Sequence, residues 1–255
     1  MVRARMIVAY DGSGFHGFAP NPEVRTVGGV LREVIEQVVQ HPVELTCAGR
    51  TDAGVHAWGQ VVSFDVPADR FDPQDLQRAV NRQCAPAIVV RDLAVGPEGF
   101  DARHSAVRRI YRYTIVNRPV PDPFLAHVAW HVPRPLELDL LRLASDPLVG
   151  EHDFSAFCRK PRQRHGGEPS LVRHVHRADW SDVGDGVLRF EIEANAFCHQ
   201  MVRSIVGTLV DVGLGRKHAG DVLGILAGRD RSRAAPLAPP HGLCLWAVKY
   251  PAASL

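Results

Sequence analysis

Apolar and polar residues alternate over the first ten positions, with Val2, Ala4, Met6, Val8 and Tyr10 on one side, a period of two that predicts a strand with one buried face. From Val27 to Val39 the period lengthens. Val30, Leu31, Val34, Ile35 and Val38 fall on one helical stripe, and Thr26 is placed to cap its N-terminus. Residues 43–47 and 60–66 read as two further strands joined by a glycine-punctuated connection. A second helix is predicted over 73–81, since proline is tolerated in a first turn, and it leads into a strand over 87–95.

The second half has similar parts: strands at 109–116 and 126–132, a helix after Leu138, and strands near 173–180 and 188–194. In the last of these Leu188, Phe190, Ile192 and Ala194 alternate with Arg189, Glu191 and Glu193. Asn195 is then expected to cap a helix running to about Val212, stopped by Gly213 and Gly215. On an ideal helix His199, Gln200, Gly207 and Asp211 share the side of Arg203, and apolar residues cover the other. The order of elements is α+β rather than strict βαβ, and it predicts two halves, 1–106 and 107–255, without a residue-level repeat. Residues 158–167 and 229–240 read as exposed loops, both with clustered arginines.

Of the 255 residues, 45% are hydrophobic and 23% charged, which fits a chain that folds by burying apolar surface and excludes a disordered or collagenous one. The formal net charge of +2 is too small to name a nucleic-acid or membrane partner. The kind of cation says more. Only Lys160, Lys217 and Lys249 are lysines, leaving 27 arginines, whose planar fork suits phosphate and stacks on bases. The five cysteines have no close paired spacing, which argues against zinc-ribbon and redox-dithiol sites and for a reducing compartment. The chain starts without a signal-peptide-like apolar stretch, and its most apolar later segment, 201–215, is too short to span a bilayer, so a cytoplasmic protein without a membrane partner is expected.

Gly12-Ser13-Gly14-Phe15-His16-Gly17 has the spacing of a dinucleotide-binding fingerprint, but Pro20 and Pro22 block the helix that fingerprint must open, so it reads as a glycine-rich turn. Residues 47–56 carry more chemistry. Gly49-Arg50-Thr51-Asp52-Ala53-Gly54-Val55-His56 places an acid and a base among turn glycines between two strands, a path that can present Asp52 to a ligand. His56 follows Asp52 by four residues, but no third ligand is near, so no metal site is expected.

This loop resembles the catalytic motif of the tRNA pseudouridine synthase A family, and the resemblance extends over nearly the whole chain in collinear order. Tyr10-Asp11-Gly12 with Phe15-His16-Gly17 resembles the family's start, Ser105-Ala106 through Arg109, Tyr111 and Tyr113 its second motif, and Asn195 through Arg203 its long C-terminal helix. Residues 150–157 and 242–245 also fit. The chain departs from the family at Phe18-Ala19, where a tryptophan-glutamine pair is common, and at Leu237, where a threonine is usual.

The resemblance implies a pseudouridine synthase fold, two ferredoxin-like halves with antiparallel sheets meeting at a central catalytic cleft. It also implies isomerisation of uridine to pseudouridine at positions 38 to 40 of the tRNA anticodon stem-loop, by a homodimer and with no cofactor. Asp52 would be the nucleophile, and Arg203 would keep it ionised and oriented. Tyr111 would stack on the extruded uracil, Arg50 would help to flip it, and Arg109 and His56 would complete the substrate-binding set. Arginines of the 158–167 loop would form an arm over the RNA backbone, with Arg108, Arg109 and Arg112 next in line. A tRNA-binding relative without chemistry is the alternative.

Overall fold

The computed structural model describes residues 1–159 and 170–251. In chain order the strands are β1 (Val2–Tyr10), β2 (Thr46–Cys47), β3 (His56–Val66), β4 (Ile88–Val95), β5 (Arg108–Val116), β6 (Trp130–His131), β7 (Gly150–Asp153), β8 (Val172–Gly184), β9 (Val187–Ala194) and β10 (Leu243–Lys249). The α-helices are α1 (Val27–Val39), α2 (Pro73–Cys84), α3 (Leu138–Ser145), α4 (Met201–Gly213) and α5 (Asp221–Gly228). No helix among the described residues is long and apolar enough to cross a membrane.

The chain divides into two compact units, Met1–Arg109 with Cys244–Leu255, and Ile110–Leu243. The expected halves differ from this division mainly in the last strand, which returns to the first unit. There β10 pairs parallel with β3, Cys244 opposite His56, and the Tyr250 ring lies 5.0 Å from that of Phe100 while its hydroxyl donates to Ala102 O at 2.7 Å. A final strand's partner is a long-range choice that local alternation does not encode.

The first unit orders its strands β4-β1-β3-β10, with β2 on β3. Strands β1 and β3 are antiparallel, Ala4 opposite Phe64 and Met6 opposite Val62, and these four side chains are buried with Leu31 and Ile35 of α1 and Leu76 and Val80 of α2. The alternation of β1 thus enters the core from Ala4 to Tyr10, and of the predicted α1 stripe Leu31, Val34 and Ile35 do, whereas Val38 at its edge is exposed. Thr26 Oγ1 accepts the Gly29 N–H at 3.1 Å, as an N-cap should.

In the second unit β9, β8 and β7 are successive antiparallel neighbours, β5 adjoins β9, and β6 pairs parallel with β5. Leu188, Phe190, Ile192 and Ala194 are buried as expected, and Phe190 stands opposite Trp180 with ring centres 5.0 Å apart. The helix that follows departs from expectation twice. It begins at Met201, because Asn195 caps no helix: its Oδ1 accepts the N–H groups of His174 (3.1 Å) and Ala196 (2.7 Å) at the strand's exit. Nor is the Arg203 side open. Residues 235–238 run along it, with Ala235 N–H on Thr208 Oγ1 (3.1 Å) and Ala238 N–H on Arg203 O (3.1 Å), and a Cβ on Gly207 would overlap the Pro236 carbonyl. The segment expected as a loose arginine loop is therefore partly packed, with Ala238 fully buried.

Candidate active site

The Asp52 loop leaves β2 and enters β3 through a turn in which Val55 N–H returns to Asp52 O at 3.1 Å. Asp52 is half-buried at this turn and Arg50 is exposed. Buried side chains fix the backbone beneath. Gln60, fully buried on β3, donates to Gly49 O at 2.6 Å and to Tyr10 OH at 3.4 Å, and the hydroxyls of Tyr10 and Thr51 are hydrogen-bonded at 2.8 Å. Arg109 donates from Nε and Nη2 to Ala48 O at 3.2 and 3.0 Å, from Nη1 to Ala106 O at 3.1 Å and from Nη2 to Arg103 O at 2.7 Å. A satisfied polar network of this kind holds the backbone in one arrangement, the condition for presenting a nucleophile.

Arg109 and His56, expected to touch substrate, are both buried in this framework. The His56 Nδ1 accepts the Gly12 N–H at 3.1 Å and so ties the loop to the glycine-rich turn after β1. Those glycines find their use here. A Cβ on Gly12 would overlap the Val55 carbonyl, and one on Gly17, whose φ of +89° already suits glycine, would come within 2.7 Å of Thr51 O. Phe18 N–H donates to Thr51 O at 3.2 Å and Gly54 N–H to Phe15 O at 3.3 Å. The segment resembling a dinucleotide fingerprint is the bed of the Asp52 loop, a role the sequence reading missed. Its signal was a glycine run placed directly after a strand.

In the second unit Tyr111 lies on β5, nearly buried, with its ring edge-on to Phe197 at 4.9 Å. Tyr113, two residues on, is a core tyrosine: fully buried, its hydroxyl donates to Pro239 O at 2.8 Å, and burial holds its pKa above the usual tyrosine range although the nearby Arg203 charge opposes this. Arg203 projects from the first turn of α4 and donates from Nε to Ala238 O at 2.8 Å. Arg112 is engaged by Glu191 at 2.7 Å.

Among the described residues no three His, Cys, Asp or Glu are grouped to hold a metal ion. Burial pushes the Cys47 thiol up to about 11, the partial offset by Arg50 notwithstanding, so this cysteine beside the loop is no nucleophile at neutral pH. Cys158 and Cys198, 40 residues apart, form a disulfide pair with Cα atoms 5.7 Å apart, a proximity created by tertiary folding that spacing does not reveal. Of the arginine arm, Arg159 is described, whereas Lys160, Arg162 and Arg164 lie outside the described residues.

The family model described as tRNA pseudouridine synthase matches residues 6–117 and 144–251. The chain belongs to that family. Curated relatives include proteins named tRNA pseudouridine synthase A from Corynebacterium glutamicum, 41% identical over 99% of this chain and 90% of that protein, and from Methylobacterium sp. (strain 4-46), 43% identical over 98% of each. The protein of that name from Pseudothermotoga lettingae is 38% identical over 98% of this chain and 100% of its own length. A solved Cbf5-Nop10-Gar1 complex aligns with 93% of this chain and 47% of that one at 13% identity, with a TM-score of 0.38, too distant to bear on the site. The first unit of this family member fixes half-buried Asp52 in a turn.

Proposed function

We propose that this chain isomerises uridine to pseudouridine at positions 38 to 40 of the tRNA anticodon stem-loop, with Asp52 as nucleophile. The observation that carries the reading is the Asp52 turn, a half-buried carboxylate on a backbone immobilised by Gln60, Tyr10, Arg109 and the Gly12–Gly17 bed. The reaction breaks the bond from N1 to the ribose, turns the base, and joins ring carbon five to the same sugar carbon, the proton leaving that ring carbon while N1 takes one up. No atom or electron is gained or lost, so the chemistry asks for positioning and a nucleophile rather than a cofactor. In this reading Tyr111 stacks on the flipped uracil, exposed Arg50 assists the flip, and Arg203 has the family role of keeping the nucleophile ionised. Arg109 and His56 act one layer back, by holding the loop.

The enzyme would work in the cytoplasm as a homodimer, an arrangement in which two nearly neutral protomers combine their arginines on one tRNA. Nothing favours the alternative of a tRNA-binding relative without chemistry, since Asp52, Arg50, Tyr111 and Arg203 all stand at their motif positions. Tritium release from tRNA labelled at uridine carbon five, followed by mapping of the modified positions, tests the reading. Release with pseudouridine confined to positions 38 to 40 supports it, and tight tRNA binding without release would overturn it.

A further inference from the structure

Three buried arginine nitrogens lack a hydrogen-bond partner among the described residues: Arg118 Nε, Arg173 Nε and Arg231 Nη1. Two of them belong to side chains otherwise well placed. Arg118 pairs with Asp122 at 2.7 Å, and Arg173 donates from Nη1 to the carbonyls of Ser170 and Val172 in its own turn. Arg231 is different. Its Nη2 donates at 2.7 Å to a neutral acceptor, Gln200 Oε1, and its Nη1 is left over.

A second guanidinium, that of Arg159, is close enough to add its repulsion to the effect of burial in depressing the pKa of Arg231. The nearby acids are otherwise engaged: Asp153 contacts Arg229 at 3.3 Å and accepts from Ser155, and Asp230 accepts from Ser232 N–H and Oγ at 2.9 and 2.8 Å. The two segments that supply Arg159 and Gln200 are fixed to each other, by the Cys158–Cys198 pair and by Arg159 N–H on His199 O at 2.9 Å. Two like charges held together, one with a donor unused, are unfavourable until an anion joins them.

We propose that Arg231 and Arg159, with Gln200 orienting the Arg231 fork, form the seat of one RNA backbone phosphate. The guanidinium fork is shaped for a phosphodiester. This inference rests on the reading of the chain as a tRNA-modifying enzyme.

The test uses the full chain and an anticodon stem-loop RNA, intact or with a single neutral methylphosphonate at each linkage around the target. Wild type is assayed first for pseudouridine; if none forms, the functional reading fails whatever Arg231 does. If it forms, Arg231→Gln should bind RNA about tenfold more weakly and lower the slope of log affinity against log salt by about 0.7 to 0.9, while turnover at saturating RNA stays within a few-fold. Arg231→Lys should keep the slope, and it decides the question if the Gln variant unfolds early. One methylphosphonate should weaken wild type by the same factor and add nothing in Arg231→Gln. Unchanged affinity and slope in Arg231→Gln, or additive effects at every linkage, would overturn the proposal. So would stabilisation of wild type but not Arg231→Gln by inorganic phosphate with RNA binding equal in the two, an outcome that assigns the seat to free phosphate.

Discussion

The Asp52 loop and the arginine cluster at the start of α4 are built on opposite principles. In the first, donors and acceptors close on one another: Gln60 spans Gly49 and Tyr10, Tyr10 meets Thr51, and Arg109 spends both ends of its fork on carbonyls. In the second, Arg231 keeps a donor unused beside another guanidinium. A site that performs chemistry gains from having its geometry settled before the substrate arrives, because reorganisation then costs nothing at the moment of reaction. A site that holds a charged backbone gains from donors not already taken by protein acceptors. Arginine serves both purposes, and its partners, not its identity, tell which.

The contrast breaks most visibly at Asp52. Asp52→Asn should fold as wild type yet form no pseudouridine; tritium release within tenfold of wild type would remove Asp52 from its role. Next comes the bed of the loop. Gly12→Ala forces a methyl against the Val55 carbonyl and should lower stability by about 1–3 kcal/mol, with activity falling further than unfolding explains. Thermal unfolding compared with single-turnover rates checks this, and an active variant of wild-type stability would show that the bed has slack. Tyr111 follows: Ala should cost about 1–3 kcal/mol of base stacking, read as a rate loss at saturating tRNA, while Phe retains most of the rate.

The smallest effect on chemistry should come from the arginine arm. Replacing Arg159, Lys160, Arg162 and Arg164 together with serine should weaken tRNA binding and flatten its salt dependence, by about 0.7 to 0.9 in slope for every phosphate no longer neutralised, with little change in rate on bound tRNA. An unchanged slope would move the RNA-binding surface elsewhere. Arg109 and Arg112 are poor substitutes, since the first is spent on backbone carbonyls and the second on Glu191.

Elements whose period was long and unbroken were legible in the sequence: β1 from its alternation, α1 from its stripe and the Thr26 cap, β9 from Leu188 to Ala194. Short or interrupted ones were not. The strand expected over 126–132 shrinks to Trp130–His131, the two residues that pair with β5 at Ile115 and Val116. The start of α4 escaped the sequence pattern because Asn195, a good cap by type, is already occupied by His174 across the strand pair. The turn that carries Asp52 was legible through its glycines, whereas the placement of Arg109 and His56 behind the loop was invisible, since a motif records residue types and not which atoms they touch.

By itself, then, the sequence determined the alternating and helical faces and the glycine turns, because each follows from local geometry. Only the tertiary structure decided that β10 returns to the first unit, that residues 235–238 cover the Arg203 side of α4, that Cys158 meets Cys198, and that Gly12 and Gly17 serve as a bed for the Asp52 turn. Each of these joins segments tens of residues apart, and their energies depend on the approach of groups whose separation along the chain carries no information about distance in space.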